Sequence, residues 1–208
     1  MIAYAVRYHS KLLEAFVEHI EIVLMTLLLS LLLASLLTIC IVHSKRLSKL
    51  WIDIFSILYS IPSLAFFAML IPVLGLGKTT AIVVLVIYNQ YILLRNFLDG
   101  LHQVEPAIIE AAIGMGMSRY QVLFQVQLPL ASKAIFAGIH LSIISTIGIT
   151  TIAATINAGG LGTILLDGLR TLNTVKILWG TILSSGFAIL ANGLLHMLEK
   201  KFEVKKES

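Results

Sequence analysis

An all-α bundle of membrane-spanning helices is the fold this sequence predicts, and three observations carry it. Of the 208 residues, 58% are hydrophobic and only 12% charged, where an ordinary soluble domain carries roughly 25% charged residues. Mean hydropathy is +0.96. Five apolar segments are each long enough to cross a hydrocarbon core of about 30 Å, which takes around 20 helical residues. None alternates with period two, and in lipid the backbone must satisfy its own hydrogen bonds, so each is predicted as a helix.

The first crossing is expected near Ile22 to Val42, after a polar extracytoplasmic tail at residues 1–18 that contains Arg7, Lys11, Glu14 and Glu18. Its apolar run exceeds the core of a signal peptide, about 7 to 15 residues, so it is expected to be retained. Cys40 is the one cysteine of the chain, which leaves no internal disulfide and no thiolate metal site. The second crossing spans Trp51 to Val73 and carries Ser60-Ile61-Pro62-Ser63 at its middle. Proline there removes a backbone bond and kinks or breaks the helix, so Pro62 is a candidate gate hinge, although such prolines also occur in static bundles.

The third crossing, Thr80 to Leu98, holds Asn89 and Gln90; the fifth, Val175 to His196, holds Asn192. The fourth, Ala134 to Ile156, is the most polar, with His140, Ser142, Ser145, Thr146, Thr150, Thr151 and Thr155. Polar groups in lipid are costly to leave unpaired, so this helix is the first candidate to line a pathway. The alternative use of each such residue is a helix-to-helix hydrogen bond worth roughly 0.6 to 2 kcal/mol. Asn157, Gly159 and Gly160 follow in a segment suited to a tight re-entrant turn, ahead of a short helix reaching about Leu169.

Basic residues set the orientation. With the N-terminus outside and the C-terminus in the cytoplasm, ten Lys and Arg lie inside and five outside, as the positive-inside rule requires. The net charge of +4 is then accounted for by topology and anionic membrane lipid, and no nucleic-acid partner is expected. Residues 19–198 make the membrane domain, and 199–208 a basic cytoplasmic tail.

That orientation puts residues 100–133 on the cytoplasmic side. Glu105-Pro106 is a helix start, Gly114 and Gly116 suit a left-handed helix end, and Ser118 with Gln121 fits a capping box opening a second short helix that ends near Leu128-Pro129. Such a hairpin serves either to dock another protein or to lie on the inner leaflet. One Arg119 and little other basic charge favours docking.

The spacing of this loop resembles a known motif. Glu110-Ala111-Ala112, three residues, Gly116, nine residues, then Val126, one residue and Leu128-Pro129 is similar to the EAA motif of type I ABC importer permeases, with valine in place of isoleucine. The resemblance extends through Ser60 to Ala65, Gly75-Leu76-Gly77, Leu94-Arg95-Asn96, Pro106 to Met117 and Thr151 to Leu161 to the branch that carries osmoprotectants such as glycine betaine, carnitine and choline. It implies that residues 19–198 are a permease domain of the plasma membrane, and that Glu110, Ala111, Ala112, Gly114, Gly116, Met117, Arg119 and Pro129 meet ABC ATPase subunits. It also implies that a substrate-binding protein meets the outer turn at Asn157 to Gly162, and that a second, identical or similar permease completes the pathway. His140 stands where the family commonly has arginine, and Tyr88-Asn89-Gln90-Tyr91 where a more apolar, proline-containing run is expected.

Neither a phosphate-binding loop nor a local metal motif is present in the sequence, so the chain is expected to be no enzyme and to hold no cofactor or metal. ATP and Mg2+ belong, on the resemblance, to the partner subunits. Tyr88 and Tyr91 alone do not make an aromatic cage for a quaternary ammonium group. The rival readings are a methionine-type amino-acid permease and, from another class, a passive channel or membrane scaffold.

Overall fold

The computed structural model describes residues 1–207, with side chains through Lys200. Its helices are α1 (Ile2–Arg7), α2 (His9–Ile41), α3 (Lys45–Tyr59), α4 (Ser63–Leu74), α5 (Lys78–His102), α6 (Pro106–Gly114), α7 (Arg119–Gln121), α8 (Leu128–Leu130), α9 (Ser132–Ala153), α10 (Gly162–Arg170) and α11 (Thr174–Glu207). A π-helical turn at Val122–Gln127 joins α7 to α8, and a 3-10 turn at Ala154–Ile156 closes α9. The all-α expectation holds.

Among the described residues, four helices are long and apolar enough to cross a membrane: α2, α5, α9 and α11. The expected second crossing is not one helix. It breaks between α3 and α4, whose axes differ by 94°. Pro62 has no N–H to continue the ladder and disfavours helical geometry at Ile61, so α4 restarts with Pro62 at its N-cap in extended backbone, ψ 133°.

The segment expected as an N-terminal tail is helical, and the first crossing helix starts at His9 rather than near Ile22. Leu12 and Ala15 give its first turns an apolar face, buried against Leu161 and Ile164, and that packing extends the helix beyond the uninterrupted apolar run. At the other terminus α11 continues through Glu207. No glycine or proline stands between His196 and Glu207 to stop it. The last residue, Ser208, lies outside the described residues.

Helix α5 is the axis of the bundle and packs against α2, α3, α4 and α9. Gly100 and Gly138 let α5 and α9 approach closely. A Cβ at Gly100 would lie 2.5 Å from the Ala134 Cβ, and one at Gly138 would lie 2.7 Å from the Asn96 Cβ, the small-residue packing that membrane helices use. One apolar core, with Phe67, Leu85 and Tyr88, fills the end near α4, and another, with Leu94, Leu98, Leu101 and Leu123, fills the end near α6. Helix α11 is the least embedded: 6% of its most apolar window is buried, against 61% for α5.

Candidate functional site

The two ends of the bundle differ in construction. At one end the chain leaves α5 through His102, whose Nε2 lies 3.0 Å from the Val42 carbonyl and so ties α5 to the end of α2. Pro106 starts α6, which ends in two interlocking backbone bonds: Gly116 N–H to the Ile113 carbonyl at 2.9 Å and Met117 N–H to the Ala112 carbonyl at 3.2 Å. This is a Schellman closure, and it needs a left-handed residue at Gly116, where φ is +87°. The interval of three residues between Ala112 and Gly116 is therefore set by hydrogen bonding, because the carbonyl of the first must meet the N–H that follows the second. Gly114 lies within the helix and takes no left-handed geometry.

Ser118 then caps α7 as expected. Its hydroxyl accepts from Gln121 N–H at 3.3 Å, and its own N–H donates to Gln121 Oε1 at 2.8 Å. The second arm, expected to stop near Pro129, closes at Leu130, and the single turn residue Ala131 passes the chain to α9. In the π turn the Leu128 N–H reaches back to the Leu123 carbonyl, and this wider turn makes room for the Pro129 ring, which would clash with the carbonyl four residues earlier in a regular helix. Ala112, Val122 and Leu123 are buried and hold the hairpin to the bundle. Glu110, Ala111, Gly114, Gly116 and Arg119 are exposed, while Met117 and Pro129 are half-buried. Ile113, Met115 and Tyr120 add an exposed apolar surface, beside a cleft of about 300 Å3 lined by His43, Ile109, Ile113, Arg119 and Gln127.

The middle of the bundle holds a polar knot. Asn89 Nδ2 donates to Ser30 Oγ at 3.2 Å and to Thr146 Oγ1 at 2.9 Å, and Gln90 Nε2 donates to the Ser30 carbonyl at 3.2 Å. Asn89 and Gln90 are buried, so these two bind α2, α5 and α9 together within the chain. On α9 the polar residues divide between two faces. Ser142, Thr146 and Thr150 are buried, whereas Ser145 and Thr151 are half-buried on the outer side with Gly148 and Thr155 exposed. His140 directs Nδ1 at Asn192 Oδ1, 2.7 Å away. Pro62 is exposed, and the Tyr88 hydroxyl donates to the Ile61 carbonyl beside it.

At the opposite end, Asn157, Gly159 and Gly160 all have positive φ, at 61°, 90° and 76°. The turn they form is pinned from α2: Glu18 Oε2 accepts from Gly160 N–H at 2.9 Å. A Cβ on Gly159 would lie 2.5 Å from that same oxygen, and one on Gly160 would lie 3.0 Å from His19 Nδ1. The glycines thus serve close approach as well as turn geometry. No sequence spacing links Glu18 and His19 to this turn, since they lie in and beside the N-terminal segment, with Glu18 142 positions from Gly160.

Comparison with known proteins agrees with this architecture. The model of the family described as binding-protein-dependent transport system inner membrane component matches residues 21–204. The chain belongs to that family. A carnitine transport permease protein of Listeria monocytogenes is 35% identical over 192 residues, covering 92% of this chain and 86% of that one. A choline transport system permease protein of Bacillus subtilis is 38% identical over 171 residues, covering 81% and 76%. Among solved structures, an inward-facing MetNI methionine ABC transporter superposes with a TM-score of 0.80 over 89% of this chain and 93% of that one at 19% identity, a likeness of fold. The chain is a multi-pass permease of the inner-membrane type, and the hairpin at Pro106–Pro129 is part of that permease fold.

Proposed function

We propose that this permease forms half of the translocation pathway of an ATP-driven importer for a compatible solute of the glycine betaine, carnitine or choline class. The observation that carries the coupling role is the exposed hairpin itself: a Schellman-closed corner at Gly116, joined to α9 through the π turn, α8 and the single residue Ala131. At Ala111, Gly114 and Gly116 small residues admit another protein's surface close to the backbone, and the exposed Ile113 and Met115 beside them give that protein an apolar surface to cover. A push there reaches α9 without an intervening flexible loop.

In this reading two ATPase subunits hold ATP and Mg2+ on the cytoplasmic side and grip Glu110, Ala111, Ala112, Gly114, Gly116, Met117, Arg119 and Pro129. The N-terminus is outside and the C-terminus inside, so the glycine turn at Asn157, Gly159 and Gly160 faces an extracytoplasmic substrate-binding protein. A second permease, identical or similar, closes the pathway over Ser145 and Thr151. This chain performs no catalysis of its own. Nucleotide-driven closure of the ATPases biases the bundle between inward- and outward-facing arrangements through differential contacts at the hairpin.

The solute class rests on the names of relatives at 35 and 38% identity; the fold likeness to a methionine transporter at 19% identity carries no substrate information. Reconstitution with the ATPase and binding protein, followed by uptake of labelled glycine betaine, carnitine, choline and methionine, tests it. Saturable, ATP-dependent uptake of at least one of the first three is expected; uptake of methionine alone would overturn the assignment, and nucleotide-independent flux would point to a channel.

A further inference from the structure

Among the described residues, one group of three metal-ligating side chains comes together, and no local sequence motif announces it: His140 of α9 with His196 and Glu199 of α11. Glu199 Oε2 lies 3.3 Å from His140 Nε2 and 3.4 Å from His196 Nδ1. All three ligand atoms fall within 4.8 Å of one another. His140 and Glu199 stand 59 positions apart in the chain, which is why no spacing rule finds the group.

The lone pairs decide what the group can do. Asn192 Oδ1, 2.7 Å from His140 Nδ1, can only accept, so Nδ1 carries the proton and Nε2 of the neutral ring presents a lone pair to the carboxylate. His196 Nδ1 faces the same oxygen. Protonation of His140 with His196 in its Nδ1–H tautomer would satisfy both approaches in the absence of metal; a cation seated between the three atoms satisfies them through the two nitrogen lone pairs and the carboxylate. Two edges of the triangle, 3.3 and 3.4 Å, match the ligand-to-ligand spacing of about 3.4 Å that follows from tetrahedral Zn–N and Zn–O bonds of about 2.0 to 2.2 Å. The Asn192 contact is the outer-shell bond that metal-ligating histidines use to fix tautomer and ring orientation.

We propose that His140, His196 and Glu199 form a binding site for a divalent transition-metal ion of the Zn2+ class. Two imidazoles and one carboxylate suit Zn2+, whereas Mg2+ and Ca2+ take oxygen ligands. The site is half-open: the Glu199 and His140 side chains are each 19% exposed and His196 is 58% exposed, which leaves a route for the ion and a position for water. Its occupation clips α11, the least embedded helix, to α9. Neither the solute carried nor the coupling at the hairpin enters into it.

The full chain, without a polyhistidine tag, purified in lipid nanodiscs and stripped with chelator, is titrated with Zn2+ by calorimetry and with Co2+ by visible absorption. One saturable Zn2+ per chain is expected, with the absorption of low-coordinate Co2+ and a rise in Tm on adding Zn2+. His196→Ala, at an exposed position, and Glu199→Gln abolish all three signals while the metal-free Tm of His196→Ala stays at the parental value. Asn192→Ala weakens binding by about 10 to 100-fold, His9→Ala changes nothing, and Mg2+ does not compete. A parent chain with no saturable Zn2+ binding, or variants that bind as the parent does, overturns the site.

Discussion

The carboxylate of Glu18 accepts a hydrogen bond from the backbone N–H of Gly160, 142 positions away, at 2.9 Å. This contact joins the first crossing helix to the glycine turn that follows the fourth, at the end of the bundle opposite the hairpin. Removing the acceptor leaves a partly buried N–H unpaired, so Glu18→Ala is expected to destabilise the chain by about 1 to 3 kcal/mol in detergent unfolding. Glu18→Gln, which keeps an acceptor, should cost less. Equal stability of Glu18→Ala and the parent would show that the turn holds itself.

Gly159→Ala goes further. At φ 90° a side chain is strained, and its Cβ would stand 2.5 Å from Glu18 Oε2, so the turn must shift as well as strain. The expected loss exceeds that of Glu18→Ala, and the double variant Glu18→Ala with Gly159→Ala should recover part of it, because the clash is gone. A double-variant loss equal to the sum of the two single losses would argue against the close approach.

Asn89 links α2, α5 and α9 through Ser30 and Thr146. Asn89→Leu removes both bonds from a buried position and strands the Thr146 hydroxyl, while Ser30 keeps its bond to the Thr26 carbonyl, for an expected cost of about 0.6 to 2 kcal/mol. If Asn89 instead lines the solute's path, uptake affinity changes while unfolding does not, and the two measurements together separate the cases.

Much of this was legible from residue types and much was not, for physical reasons. The capping box at Ser118 and the helix start at Pro106 are local, so spacing alone revealed them. The break at Pro62 was signalled by proline chemistry, but its 94° extent depends on how α4 packs Phe66 and Phe67 into the core. Helix ends depart from the apolar runs where packing carries a helix past them, as at Leu12 and Ala15. Contacts between distant segments, Glu18 with Gly160 and His140 with Glu199, have no sequence period and became visible only once the helices were set side by side.

The broken span at Pro62 offers a fourth expectation. Tyr88 donates to the Ile61 carbonyl, so α5 holds the chain at its bend. Tyr88→Phe should leave assembly intact, loosen α3 against α4 in distance measurements between spin labels on the two helices, and slow uptake. Unaltered distance distributions would mean that the proline alone sets the bend.

Asp167 of α10, outside the crossing segments, accepts a hydrogen bond from Lys176 Nζ at 2.9 Å, and this bond holds its carboxyl below the usual range. A depressed folded value stabilises at neutral pH, and the contribution is lost as pH falls through it. With Asp167 37% exposed the effect is small. Asp167→Asn should lower stability slightly at neutral pH and leave it unchanged well below about pH 4, where the carboxyl is protonated folded or unfolded, so the acid limb flattens by that same small amount.

The central claim is that the Schellman-closed corner at Gly116 transmits the ATPase's motion, and one substitution tests it most directly. Nothing within 4 Å would meet a Cβ at Gly116 inside this chain, so Gly116→Arg strains the turn by about 1 to 2 kcal/mol and directs its bulk outward at whatever docks there. ATP-driven uptake by the reconstituted complex should fall at least tenfold while the ATPase still copurifies. Uptake at the parental rate would contradict coupling through this hairpin.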